Sequence, residues 1–94
     1  MIRSFKCNET KKVFEGLKSR YFPPDIHATA QRKLLMVHAA NKIQDLKIPP
    51  GNRLEKLVGD REGQYSIRIN SQWRVCFNWT EGNADQVEIV DYHK

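Results

Sequence analysis

The 94-residue sequence predicts an α+β domain, with two N-terminal helices packed on one face of a mostly antiparallel, twisted sheet. Two observations carry this expectation. From Tyr65 to Trp79 apolar residues take odd positions (Tyr65, Ile67, Ile69, Trp73, Val75, Phe77, Trp79), with Ser66, Arg68, Arg74 and Asn78 between them. A period of two over two runs joined by Asn70-Ser71-Gln72 is that of an antiparallel hairpin with one buried face. Upstream, Ile26, Ala30, Leu34 and Val37 recur at helical spacing, which gives a helix one apolar stripe.

Taken in order, Ile2–Cys7 is a short strand. Asn8 or Thr10 caps a helix running to about Lys18, with Phe14, Leu17 and Tyr21 on one face. Pro23-Pro24 breaks the chain, and Asp25 caps a longer helix to about Ala40, whose Gln31, Arg32 and Lys33 lie mostly outside the apolar stripe. Ile43–Leu46 adds a short helical turn. Ile48–Asn52 is a loop, because two prolines and a glycine continue neither regular structure. Arg53–Val58 alternates as a strand, and Gly59–Gly63 turns it into the hairpin. Glu81–Asp85 then leads to a last strand, Val87–His93. The whole chain, residues 1–94, is expected to form one domain.

Composition bounds the function. Hydrophobic residues at 39% and charged residues at 29% are ordinary for a folded soluble domain, which argues against disorder. Sixteen Lys and Arg against eleven Asp and Glu leave a charge of +5, which favours polyanionic partners. No apolar run reaches membrane-spanning length and Met1–Lys6 has no secretory character, so no membrane partner and a cytoplasmic location are expected. Cys7 and Cys76 are read as small buried apolar groups. No metal-ligand motif is present: His27 and His38 stand about three helical turns apart, too far to share an ion.

Two features bear on chemistry. Arg53, Lys56, Arg61, Arg68 and Arg74 place five cations on adjoining strands and a turn, either as a solvated face paired with Glu55, Asp60 and Glu62 or as a surface for phosphate. At the C-terminus Asp91-Tyr92-His93 sets a carboxylate, a phenol and an imidazole side by side, either as a solvated tail or as a proton-handling group.

The stretch from Leu54 to Gly63, then Ser66-Ile67-Arg68, Trp73-Arg74-Val75-Cys76-Phe77 and the Asp91-Tyr92-His93 ending resemble the HigB toxins of the RelE/ParE superfamily, in the subgroup of plasmid-maintenance killer proteins. Met1–Phe5 and Pro49–Glu55 resemble that subgroup too, so the likeness spans nearly the whole chain. It implies a RelE-like, microbial-ribonuclease-like fold and a type II toxin that enters the ribosomal A site and cuts mRNA without metal or other cofactor. Its partners would be a HigA-like helix-turn-helix antitoxin and, through the antitoxin complex, operator DNA. Residue by residue, Arg74 matches the arginine that holds the scissile phosphate, and Asp91, Tyr92 and His93 match the catalytic C-terminal group. Arg53, Lys56, Arg61 and Arg68 are the RNA-binding candidates.

The sequence departs from the pattern where relatives carry a histidine and a lysine; Glu55 and Val58 stand there instead. Either Lys56 takes over the positive charge or the site is arranged differently, and Glu55 serves as a base or pairs with Arg53 or Lys56. Two other functions compete: a ParE-like inhibitor of DNA gyrase that performs no chemistry, and a plain basic RNA-binding domain.

Overall fold

A computed structural model describes residues Met1–Tyr92. Helix α1 spans Asn8–Phe14 and helix α2 His27–Ala39; strands β1 (Glu55–Lys56), β2 (Gln64–Arg68), β3 (Trp73–Thr80) and β4 (Asn83–Asp91) follow. The strands form one antiparallel sheet in the order β1-β2-β3-β4. The expected α+β layering is present.

The odd-numbered face of the hairpin meets the helices. Leu34, Val37, Ile67, Val75, Phe77 and Ile89 are buried together with Val13, Phe22 and Ile26. Each such side chain contributes roughly 1.5–3 kcal/mol over its exposed state. The turn between β2 and β3 is fixed by Asn70, whose Oδ1 accepts from the backbone N–H groups of Gln72 and Trp73, both at 2.8 Å.

Several boundaries differ from the sequence expectation. The N-terminal segment is no regular strand; it touches β4 in parallel through two isolated bridges, Ile2–Ala84 and Phe5–Val87. Between them β4 carries a bulge at Gln86 (φ 53°), where the ladder to β3 also slips, so the edge can pair only on either side of it. Helix α1 stops at Phe14 because Gly16 turns left-handed (φ 80°). Gly16 N–H then bonds Val13 O (3.0 Å) and Leu17 N–H bonds Lys12 O (2.8 Å), a Schellman termination. Leu17 and Tyr21 are therefore exposed and join no helical stripe.

Neither helix has a side-chain N-cap: Cys7 precedes α1, and a 3-10 turn at Pro24–Ile26 feeds α2. Thr10 instead accepts from Ile89 N–H at 3.0 Å, tying α1 to β4. The expected strand over 53–58 shrinks to two residues, since Arg53 is left-handed (φ 45°, ψ 56°) and a 3-10 turn begins at Gly59. Lys33 is the clearest reversal. It lies on the inner side of α2, 8% exposed, and its Nζ donates to Asn52 Oδ1 at 2.5 Å.

Candidate functional site

Antiparallel pairing puts directly opposed residues on one face of the sheet. Glu55, Ser66, Cys76 and Glu88 form one row across the four strands, and Arg68, Arg74 and Val90 form the next. Both rows lie on the even face, away from the helices. The sequence reading displayed arginines to solvent there, whereas Arg74 is 7% exposed.

Its burial is sustained by acceptors. Arg74 Nε donates to Ser66 Oγ at 2.8 Å, and Nη2 donates to the carbonyls of Arg53 (2.6 Å) and Ser66 (3.3 Å). Glu55 Oε1 stands 3.7 Å from Nη2, so Glu55 pairs with Arg74 and with neither Arg53 nor Lys56. Tyr92 lays its ring 5.4 Å from the guanidinium carbon, within cation–π range. Among the described residues no fully buried side-chain nitrogen or oxygen lacks a partner. Nη1 bonds to nothing among the described residues, and Glu55 and Tyr92, which touch the guanidinium, border an opening.

The opening lies beside the guanidinium. Glu55, Lys56, Leu57, Val58, Arg61 and Tyr92 line a concavity of about 350 Å³. Lys56 is exposed at its edge, and Arg61 crosses the even face to bond Glu88 Oε2 (3.0 Å) and Gln64 Oε1 (3.1 Å). Lys6 reaches the same carboxylate at 3.6 Å, so Glu88 neutralises part of the cationic face. Cys76 sits beneath, its thiol pushed up to about 11 by burial, and so stays protonated and inert at neutral pH. A larger concavity of about 800 Å³ opens between α1 and α2, where Lys18, Arg20 and His27 stand among Val13, Leu17 and Phe22. None of the residues that the family resemblance singles out lines it.

The structure thus brings together Arg74, Tyr92, Glu55, Lys56 and Arg61. Arg68 lies opposite Arg74 on the adjoining strand, half-buried, and the exposed Arg53 offers its backbone carbonyl. Asp91 is placed differently. It pairs with Trp73, on the helix-facing side, and accepts from Gln72 Nε2 at 3.0 Å. Tyr92 N–H donates to Gln72 O at 2.6 Å, so one hairpin residue holds both ends of the Asp91-Tyr92 pair. His93, the remaining member of the proposed catalytic group, lies outside the described residues. Among the described residues no three His, Cys, Asp or Glu side chains converge as a metal site requires. Sequence reasoning missed Ser66 and the Arg53 carbonyl. Register could have found Ser66, two residues from Arg74's cross-strand partner; a backbone carbonyl in a left-handed turn leaves no sequence signal.

Comparison with known proteins decides the family. A HigB-like toxin model, described as the RelE-like toxin HigB of a type II toxin-antitoxin system, matches residues 3–93. The chain belongs to that family. It is 41% identical over 95 residues to Toxin HigB-1 of Vibrio cholerae serotype O1, covering 100% of this chain and 99% of the relative. It is 35% identical over 94 residues to Endoribonuclease HigB of Proteus vulgaris, covering 99% and 100%. As a HigB-like toxin it is one half of a type II pair, and its counterpart is an antitoxin. No helix among the described residues is long and apolar enough to cross a membrane.

Proposed function

We propose that this HigB-like toxin is an endoribonuclease that cuts mRNA in the ribosomal A site by attack of a ribose 2′-OH on the adjacent phosphate. The observation that carries the reading is Arg74: buried, held through Nε and Nη2 by three acceptors, and in contact with Glu55 and Tyr92, which line the concavity together with Lys56. A guanidinium held in place before the substrate arrives stabilises developing charge on a phosphorane without reorganising.

In the reaction the 2′ oxygen forms a bond to phosphorus, the bond to the 5′ oxygen breaks, and a cyclic phosphate remains. A base takes the 2′-OH proton and an acid supplies one to the leaving 5′ oxygen. His93 is assigned to proton transfer, and Tyr92 to orienting the substrate over Arg74. Asp91, bonded to Gln72, steadies the C-terminal group. Glu55 lines the concavity and is the next candidate for the base. Arg53, Lys56, Arg61 and Arg68 supply the surrounding positive potential for the RNA strand.

The counterpart is proposed to be a HigA-like helix-turn-helix protein, with the pair binding its own operator DNA. Co-expression of the neighbouring reading frame should yield a stable complex and relieve growth arrest; a chain that purifies alone contradicts this. Primer extension on mRNA from cells expressing wild type, Arg74→Ala, His93→Ala and Arg32→Ala at matched soluble levels tests the chemistry. Specific cuts are expected from wild type and Arg32→Ala only, Arg32 being exposed on α2. Losing the phosphate contact costs on the order of a hundredfold in rate, and losing a general acid or base roughly 10²–10⁴-fold. Double-strand DNA breaks in place of mRNA cuts would assign the chain to gyrase poisoning. Cuts at the wild-type rate from His93→Ala would move the acid–base role to Glu55 and Lys56.

A further inference from the structure

The turn that precedes β1 is built around a buried amide that no proposed step uses. Asn52 is fully buried, the final residue of a 3-10 turn over Pro50–Asn52. Its Nδ2 donates to the carbonyls of Leu46 (3.2 Å) and Ile48 (3.5 Å) and contacts Met36 Sδ at 3.7 Å. Its Oδ1 accepts from Lys33 Nζ at 2.5 Å, and Lys33 has no carboxylate partner among the described residues. One side chain thus fastens α2, the Ile43–Lys47 turn and the proline loop to one another.

The next residue shows what that fastening serves. Arg53 is left-handed (φ 45°, ψ 56°), a conformation costly for a residue with a Cβ, and it persists only where its surroundings impose it. In that conformation its carbonyl meets Arg74 Nη2 at 2.6 Å, the shortest of the contacts holding the guanidinium. Glu55 Oε1 pairs loosely with the same nitrogen at 3.7 Å. Were the Arg53 carbonyl to withdraw, the guanidinium would close on that carboxylate into direct hydrogen-bond contact. A guanidinium tightly hydrogen-bonded to a carboxylate is a poorer phosphate ligand than one held by a neutral carbonyl.

We propose that Asn52 is a positioning residue for Arg74: by fixing the left-handed Arg53 turn it keeps the guanidinium on a backbone carbonyl, with Glu55 held at the 3.7 Å of a loose ion pair, beside the concavity that Glu55 and Tyr92 line. The proposal rests on the reading of Arg74 as the phosphate clamp. Asn52 touches no substrate and acts only through Arg53 and Arg74. Lys33 supports it by holding Oδ1, which explains a lysine buried on the inner side of a helix.

The test uses the purified full-length chain, with Asn52→Asp as the principal variant. Aspartate keeps the shape and the bond to Lys33 but sets an oxygen against the carbonyls of Leu46 and Ile48. Two readouts are taken beside wild type: single-turnover cleavage of ribosome-bound mRNA, and the nitrogen resonances of the Arg74 guanidinium, resolved only while its rotation is blocked. Asn52→Asp is expected to lose roughly ten- to a hundredfold in rate, the order of cost for a small misplacement of a catalytic contact. Half-saturation should stay near the wild-type value while the two Arg74 Nη signals merge. Asn52→Asp should cost less in a Glu55→Gln background, measured against Glu55→Gln alone, than it does in wild type, because the competing carboxylate is gone; a purely structural defect would cost the same in both. Wild-type cleavage by Asn52→Asp, or lost cleavage with the Arg74 signals still resolved, overturns the proposal. If Asn52→Asp does not fold, Lys33→Met carries the resonance test, and unchanged Arg74 signals there overturn it equally. Arg74→Ala is run in parallel: wild-type cleavage by that variant overturns the clamp reading, whereas the resonance arm needs no substrate and judges the positioning by itself.

Discussion

At the scale of single residues, Arg74 and Lys33 are two buried cations with opposite surroundings. Arg74 has carbonyls, a hydroxyl, a nearby carboxylate and an aromatic face. Lysine at this position would keep the charge but lose the fork that spans Ser66 and Arg53. Arg74→Lys should therefore fold less stably by about 1.5–3 kcal/mol, the usual worth of a hydrogen bond to a charged group, and should cut RNA far more slowly. Urea unfolding and single-turnover cleavage check the two effects separately. Lys33 has one neutral amide partner, and burial, helped by the neighbouring Arg32 charge, holds its pKa below the ordinary lysine value. The unfolded chain consequently binds the Lys33 proton more tightly than the folded one. Stability must rise with pH from the lowered folded value up to the unfolded value of about 10.4. Subtracting the unfolding free energies of Lys33→Met from those of wild type across that window should leave a positive slope. A flat difference would show that Lys33 keeps its proton equally in both states.

At the scale of elements, termini decide more than interiors. Gly16 ends α1 with φ 80°, and a Cβ there would also meet Gln31 Nε2 at 3.1 Å. Gly16→Ala should cost about 1–2 kcal/mol through the left-handed backbone alone, read as a lowered unfolding midpoint with unchanged helix content. This pattern also explains how far the fold could be read from sequence. The stripe of α2 and the alternation of β2 and β3 were legible because each is set by burial against one core, and burial imposes its period on residue choice. The end of α1, the two-residue β1 and the bridged N-terminal segment were not, because each is set by a backbone conformation at Gly16, Arg53 or Gln86. A left-handed arginine or glutamine resembles any other in a sequence. The candidate site follows the same division. Arg74 and Tyr92, named as candidates from resemblance, meet in space, while Arg53's carbonyl and Lys33's inward turn follow from that hidden geometry.

At the scale of the whole molecule, the sheet separates two tasks by face. Its odd side carries the core against α1 and α2; its even side carries Ser66, Arg74 and Cys76 beneath Arg61 and Tyr92. Of the net charge of +5, the part useful to a polyanion is the part left unpaired near the concavity. Arg3 is paired with Asp85 and Arg61 with Glu88, whereas Arg53, Lys56 and Arg68 form no ion pair among the described residues. Those three should account for most of the salt dependence of RNA binding, and Arg3 for none. For single-stranded RNA the logarithm of affinity falls with the logarithm of salt by about 0.7 per phosphate neutralised. Removing all three should flatten the slope by about 2, measured by anisotropy titrations of an oligonucleotide carrying a 2′-deoxy sugar at the cut site, which binds without being cleaved. Arg3→Ala should leave the slope at its wild-type value, since its partner already neutralises it at 2.7 Å. An unchanged slope in the triple variant would mean that the RNA follows another path across the surface. The concavity would then receive only the scissile phosphate, leaving the rest of the strand to be held elsewhere.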